Sequence, residues 1–152
     1  MNHYSELLGY IKQLGEADPF VNTITQGDFE DVDLDKYNLY PLLHIQINGG
    51  NLNNGQAITL SVQIGCLQQR SSVNEKPDKF WDNDNEVDNL NETLAVLNRL
   101  WLIMYRDFDR NNITASENPP LEPMINAYDN GLDGWALTFD VTMPNTVINL
   151  CR

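Results

Sequence analysis

Asp31, Asp33 and Asp35 recur at every second position, the spacing of the first three oxygen ligands in an EF-hand calcium loop. The rest of that loop is missing. Lys36 stands where the sharp turn needs glycine, and Leu42 stands where a bidentate acid must close the site. Asp82, Asp84 and Glu86 repeat the spacing and fail at the same two places, with Val87 and Thr93. Neither run is read as a dedicated metal site, and no metal or cofactor is expected.

Catalytic side chains are equally scarce. Of the two histidines, His3 is near the terminus, and His44 alternates with apolar residues in a strand-like run. A general base also needs an orienting partner within reach, so a lone strand histidine reads as structural. Cys66 and Cys151 have neither CxxC spacing nor a partnered histidine motif, so no disulfide framework or thiol nucleophile is expected. Cys66 ends an alternating run and reads as a small buried apolar residue. No nucleophile elbow, zinc-protease helix, phosphate loop or dinucleotide fingerprint occurs. Gly49-Gly50 has no following helix to aim amides at a phosphate, so it reads as a hairpin tip. The expectation is a protein that is not an enzyme.

The 152 residues suit a single domain spanning 1–152, burying about 70% of the surface of the unfolded chain. A hydrophobic content of 41% beside 20% charged residues describes a folded protein. Nine basic residues against 22 acidic ones leave a formal net charge of −13. That balance lacks the basic footprint of a nucleic-acid binder. It serves solubility, and it would also repel phosphates from any acidic surface. No apolar run is long enough to cross a bilayer, and the first residues do not read as a signal peptide.

The elements follow from periodicity. Tyr4, Leu7, Leu8, Ile11 and Leu14 line one helical face, with Gly15 as the expected stop and Asp18-Pro19 beyond it. Residues 20–25 read as a short strand, and the acidic stretch from Gly27 to Asp35 as a connecting loop or short helical turn whose acids face water. Two strands, Tyr40 to Ile47 and Gln56 to Gln68, flank a Gly/Asn tip at Asn48–Gly55. In the second strand Ile58, Leu60, Val62 and Ile64 alternate with Thr59, Ser61 and Gln63, the pattern of a sheet with one packed and one polar face.

Residues 70–85 form the longest connection. Phe80 and Trp81 at its centre would either tuck back onto the domain or anchor a neighbouring subunit. From Glu86 to Phe108 the stripe Leu90, Leu94, Leu97, Trp101, Met104, Tyr105 and Phe108 predicts a long helix, with Asn89 and Glu92 spaced as a capping box. A Pro-containing loop through Pro123 leads to a final hairpin. Its second strand carries Trp135, Leu137, Phe139 and Val141 on one side. The expected fold class is α+β: an antiparallel sheet of four to five strands with two main helices on one face.

This order of elements resembles the tail terminators and head-tail connectors that complete the neck or tail of tailed bacteriophages. The most specific part is the closing Gly134-Trp135 strand, from Leu132 through Val141 to Pro144-Asn145. The resemblance implies a virion protein, assembled in the host cytoplasm as a closed ring, sixfold or twelvefold. Its partners would be further copies of itself and the portal, connector or tail-tube proteins. DNA would pass through its bore without specific binding. On that reading Asn48, Gly49, Gly50, Asn53, Asn54, Phe80 and Trp81 are candidate subunit contacts. Asp28, Glu30, Asp31, Asp33 and Asp35 are candidate DNA-repelling groups of the lumen. The alternative is a monomeric α+β domain that binds a small molecule or peptide, with Thr59, Ser61, Gln63, Thr138 and Thr142 as a polar platform on the sheet.

Overall fold

A computed structural model describes residues 3–28, 40–69, 86–127 and 131–145. Along the chain run α1 (His3–Ala17), β1 (Thr23–Gln26), β2 (Leu42–Asn53), β3 (Ala57–Gln69), α2 (Glu86–Arg110), β4 (Thr114–Ala115), β5 (Leu121–Ala127) and β6 (Leu132–Pro144). The α+β class is as expected. The six strands form one sheet in the order β1-β2-β3-β6-β4, and β5 shares with β4 the far edge of β6. The sheet is mixed: β1 pairs parallel to β2, and every other pairing is antiparallel.

Alternation along the three long strands builds the core. Ile45, Ile64 and Leu137 are opposite one another across β2, β3 and β6, as are Ile47, Val62 and Phe139. Paired residues share a face, so these rows present one apolar surface. Leu7 and Ile11 of α1 and Val96, Leu97, Leu100, Met104 and Phe108 of α2 close over it in a single buried cluster. Each fully buried side chain of this size contributes about 1.5–3 kcal/mol relative to exposure. A smaller cluster of Leu42, Leu67 and Leu132 is separate from it, with Tyr40 and Met124 packed against it.

Several local expectations change once the strands pair. α1 runs two residues beyond Gly15. That glycine is a packing contact and not a stop, because a Cβ there would come within 2.8 Å of Ile24 Cδ1 and Leu43 Cδ2. Asn89 is inside α2, not at its cap; its Nδ2–H donates to Asp133 Oδ2 at 3.2 Å. Gly49-Gly50 is not a tip. β2 continues through both glycines to Asn53 after a bulge between Ile47 and Gly49. The turn itself is short: Asn54 and Gly55 take positive φ of 52° and 70°, and Gln56 N–H donates to Asn53 O at 2.9 Å. Positive φ at two central residues marks a type I′ turn, which suits Asn-Gly. Leu121, Glu122 and Pro123, expected in a loop, belong to edge strand β5.

Two polar links fasten the helices. Asp18, just past α1, accepts from Arg99 of α2 through Nε at 3.0 Å and Nη2 at 3.1 Å, and from the Phe20 amide at 2.9 Å. The Arg99 guanidinium also sits 5.1 Å from the Phe20 ring centroid, a cation–π geometry. The hydrogen-bonded carboxylate raises the Arg99 pKa above its ordinary value. Farther along, Tyr10 O–H donates to Asp107 Oδ2 at 2.6 Å. Trp135 Nε1–H donates to Leu90 O at 2.9 Å, tying β6 to α2.

Candidate assembly surface

The described residues hold no cluster of three or more His, Cys, Asp or Glu able to bind a metal. His44 is only 2% exposed. Its Nε2 is 3.0 Å from Gly27 O, which can only accept, so Nε2 carries the proton; the Thr25 hydroxyl then donates to Nδ1 at 2.6 Å. These bonds hold β1 against β2 and tie up both ring nitrogens. Replacing His44 with Ala is expected to cost about 2 kcal/mol, read by urea denaturation, because the carbonyl and hydroxyl lose their partner. Cys66 is fully buried, and burial pushes its thiol pKa upward, away from reactive thiolate. Burial and Asp107 likewise push the Tyr10 phenol upward.

A charge-free stretch stands out instead. From Tyr37 to Gln69 the chain has no Asp, Glu, Lys or Arg, although the whole protein carries a net −13. The described part of this stretch is the long β2–β3 hairpin. β1 pairs only with Leu42–Ile45. From Ile47 to Asn53 no strand among the described residues covers the outer edge of β2. On its helix side this distal arm carries Ile47, Leu52, Ile58 and Leu60, which with Tyr4 line a shallow apolar depression. Leu52 is 79% exposed and Tyr4 49%. On the other side, Asn53 Nδ2–H donates to Thr59 Oγ1 at 2.7 Å, and the Thr59 and Thr142 hydroxyls share a 2.8 Å bond. The polar sheet face read from alternation is therefore partly self-satisfied.

Of the candidate contacts, Asn48, Gly49, Gly50, Asn53 and Asn54 all belong to this arm and are exposed. Gly50 packs against the neighbouring backbone, since a Cβ there would come within 1.9 Å of Thr59 O. Phe80 and Trp81 lie outside the described residues, as do Glu30, Asp31, Asp33 and Asp35. Asp28, next to Gly27 beyond the end of β1, is exposed.

A second surface was not anticipated. Between α2 and the β5 edge runs a groove of about 370 Å³, lined by Leu94, Ala95, Asn98, Trp101, Pro119 and Leu121 among others. Every lining residue is uncharged. Its trace in the sequence was an α2 apolar over more than one stripe: Leu94, Ala95, Leu102 and Tyr105 extend beyond the face that the sheet buries. Leu102 and Tyr105 are well exposed. Among the described residues no helix is long and apolar enough to cross a membrane. Set beside known proteins, the chain matches no family model, and no curated protein matches it.

Proposed function

We propose that the chain is a structural virion protein that assembles into a ring in the neck or tail of a tailed phage. It joins portal or connector to tail, or ends the tail tube, and DNA passes its acidic bore unbound. One observation carries this reading: an uncharged, apolar-faced hairpin arm whose outer edge no strand among the described residues covers, on a chain of net charge −13. Like-charged copies repel over about one Debye length, roughly 10 Å at 0.1 M salt. A neutral patch lets copies meet with less of that repulsion, and this arm is neutral. The order of helix, hairpin, helix and closing Gly-Trp hairpin adds the resemblance to tail-completion proteins. The remaining acidic surface suits a bore that DNA crosses without sticking.

The test is mass in solution. Purified protein should form a discrete ring, and raising salt from about 0.05 to about 0.5 M should strengthen assembly. Screening removes the repulsion between copies while leaving an uncharged contact intact. An interface built on salt bridges would weaken over the same range. A particle that stays monomeric by light scattering at high concentration and all salts overturns the proposal.

A further inference from the structure

We infer that the β2–β3 arm of one copy seats Leu52 in the groove between α2 and β5 of a second copy. This rests on the ring reading above and names the two surfaces that meet.

The arm presents exposed Leu52 beside Ile58 and Leu60, among asparagines and with no charge. The groove offers Leu94, Ala95, Trp101 and Leu121, with Asn98 as a neutral hydrogen-bonding group. Apolar surface is removed from water on both sides, and no charge is desolvated. The occupant is a second copy because of charge. A basic partner would be drawn to the acidic surface, whereas the neutral arm and groove are where two copies of net −13 approach most cheaply.

Strand addition at β5 is disfavoured by the chain itself. Thr138 N–H donates to Pro120 O, which sets the hydrogen-bonding phase of β5 against β6. In that phase Glu122 and Met124 point their amides at β6, and Leu121 and Pro123 are at outward-facing positions, up to the register shift beyond Met124. Proline there removes a donor from the outward edge of β5, a device that blunts edge pairing. What remains to dock is the side-chain groove.

The geometry also has a direction. The arm's outer edge belongs to β2, and the groove lies beyond β6 at the other side of the sheet. A contact joining two different patches is heterologous, the kind that forms a ring when the rotation between copies closes.

The experiment uses Leu52→Glu and Ala95→Glu in the full chain, with Gln13→Glu on the exposed face of α1 as a control for added charge. All three positions are exposed, so circular dichroism and melting should match the unsubstituted protein. Leu52→Glu and Ala95→Glu should each weaken assembly at least about tenfold, and Gln13→Glu should leave it unchanged. Mixed in equal amounts, the two defective variants should form a dimer and stop there. The intact arm of Ala95→Glu fits the intact groove of Leu52→Glu, and the two remaining surfaces are spoiled. Assembly that survives Leu52→Glu or Ala95→Glu, a mixture that stays monomeric, or equal loss with Gln13→Glu overturns the arm–groove contact while leaving ring formation standing. A monomeric unsubstituted protein overturns both.

Discussion

Replacing Arg99 with Ala should lower the unfolding free energy by about 3–4 kcal/mol. Its partner Asp18 has a side chain only 4% exposed, whereas that of Arg99 is 39% exposed. Deleting the arginine strands a buried carboxylate whose desolvation was offset by two charge-assisted hydrogen bonds. The Phe20 amide would remain as a hydrogen-bond donor to it. The converse change, Asp18→Asn, should cost less, because Arg99 can turn toward water and the amide oxygen can still accept from Phe20. The ordering is the informative part. Urea denaturation followed by tryptophan fluorescence should place Arg99→Ala below Asp18→Asn, and the reverse ordering would show that the burial asymmetry does not govern this pair. Lys at position 99 should restore only part of the loss, since an ammonium cannot reproduce the two-pronged contact.

Gly134→Ala should be comparably damaging, costing about 3 kcal/mol or preventing folding. Gly134 sits in β6 opposite Leu67, and a Cβ there would come within 1.9 Å of Cys66 O and 3.0 Å of Leu67 Cα. These are backbone atoms of a central strand and have no rotamer through which to yield. Two other glycines calibrate the expectation. At Gly9, exposed on α1, a Cβ meets nothing within 4 Å; alanine there should stabilise by about 0.5–1 kcal/mol through helix propensity. At Gly55 the space is open but φ is +70°, so alanine should cost about 1–2 kcal/mol of backbone strain. A Gly134→Ala protein as stable as the parent would mean that β3 and β6 separate more easily than their register suggests.

The salt response and the arm–groove mixture test function at a different level from these two substitutions. Arg99 and Gly134 hold the scaffold; Leu52 and Ala95 leave it alone. A variant that melts normally yet no longer assembles separates the two levels.

Residue order alone determined what depends on contact with water at fixed local spacing. The stripe from Leu90 to Phe108 made α2, and alternation from Ile58 to Ile64 and from Trp135 to Val141 set which face of the sheet is buried. Cys66 was legible as core because its place in an alternating run is a local property. The absence of charge from Tyr37 to Gln69 is also a property of residue order, but it gained meaning only once the hairpin arm was built. Pairing between distant segments decided the rest. Gly15 reads locally as a helix stop, but Ile24 and Leu43 turn it into a contact. Asn89 and Glu92 read as a cap, but Asp133, 44 residues later, claims the asparagine inside the helix. Gly49 and Gly50 read as a turn until β3 extends its ladder past the bulge, and Pro123 reads as a loop until β6 offers it an edge. The groove beside α2 takes shape only when β5, paired to β6, brings Leu121 near Leu94 and Trp101. Hydrogen-bond ladders and close backbone approach join residues far apart in the chain, so no local window contains them; only the assembled sheet does.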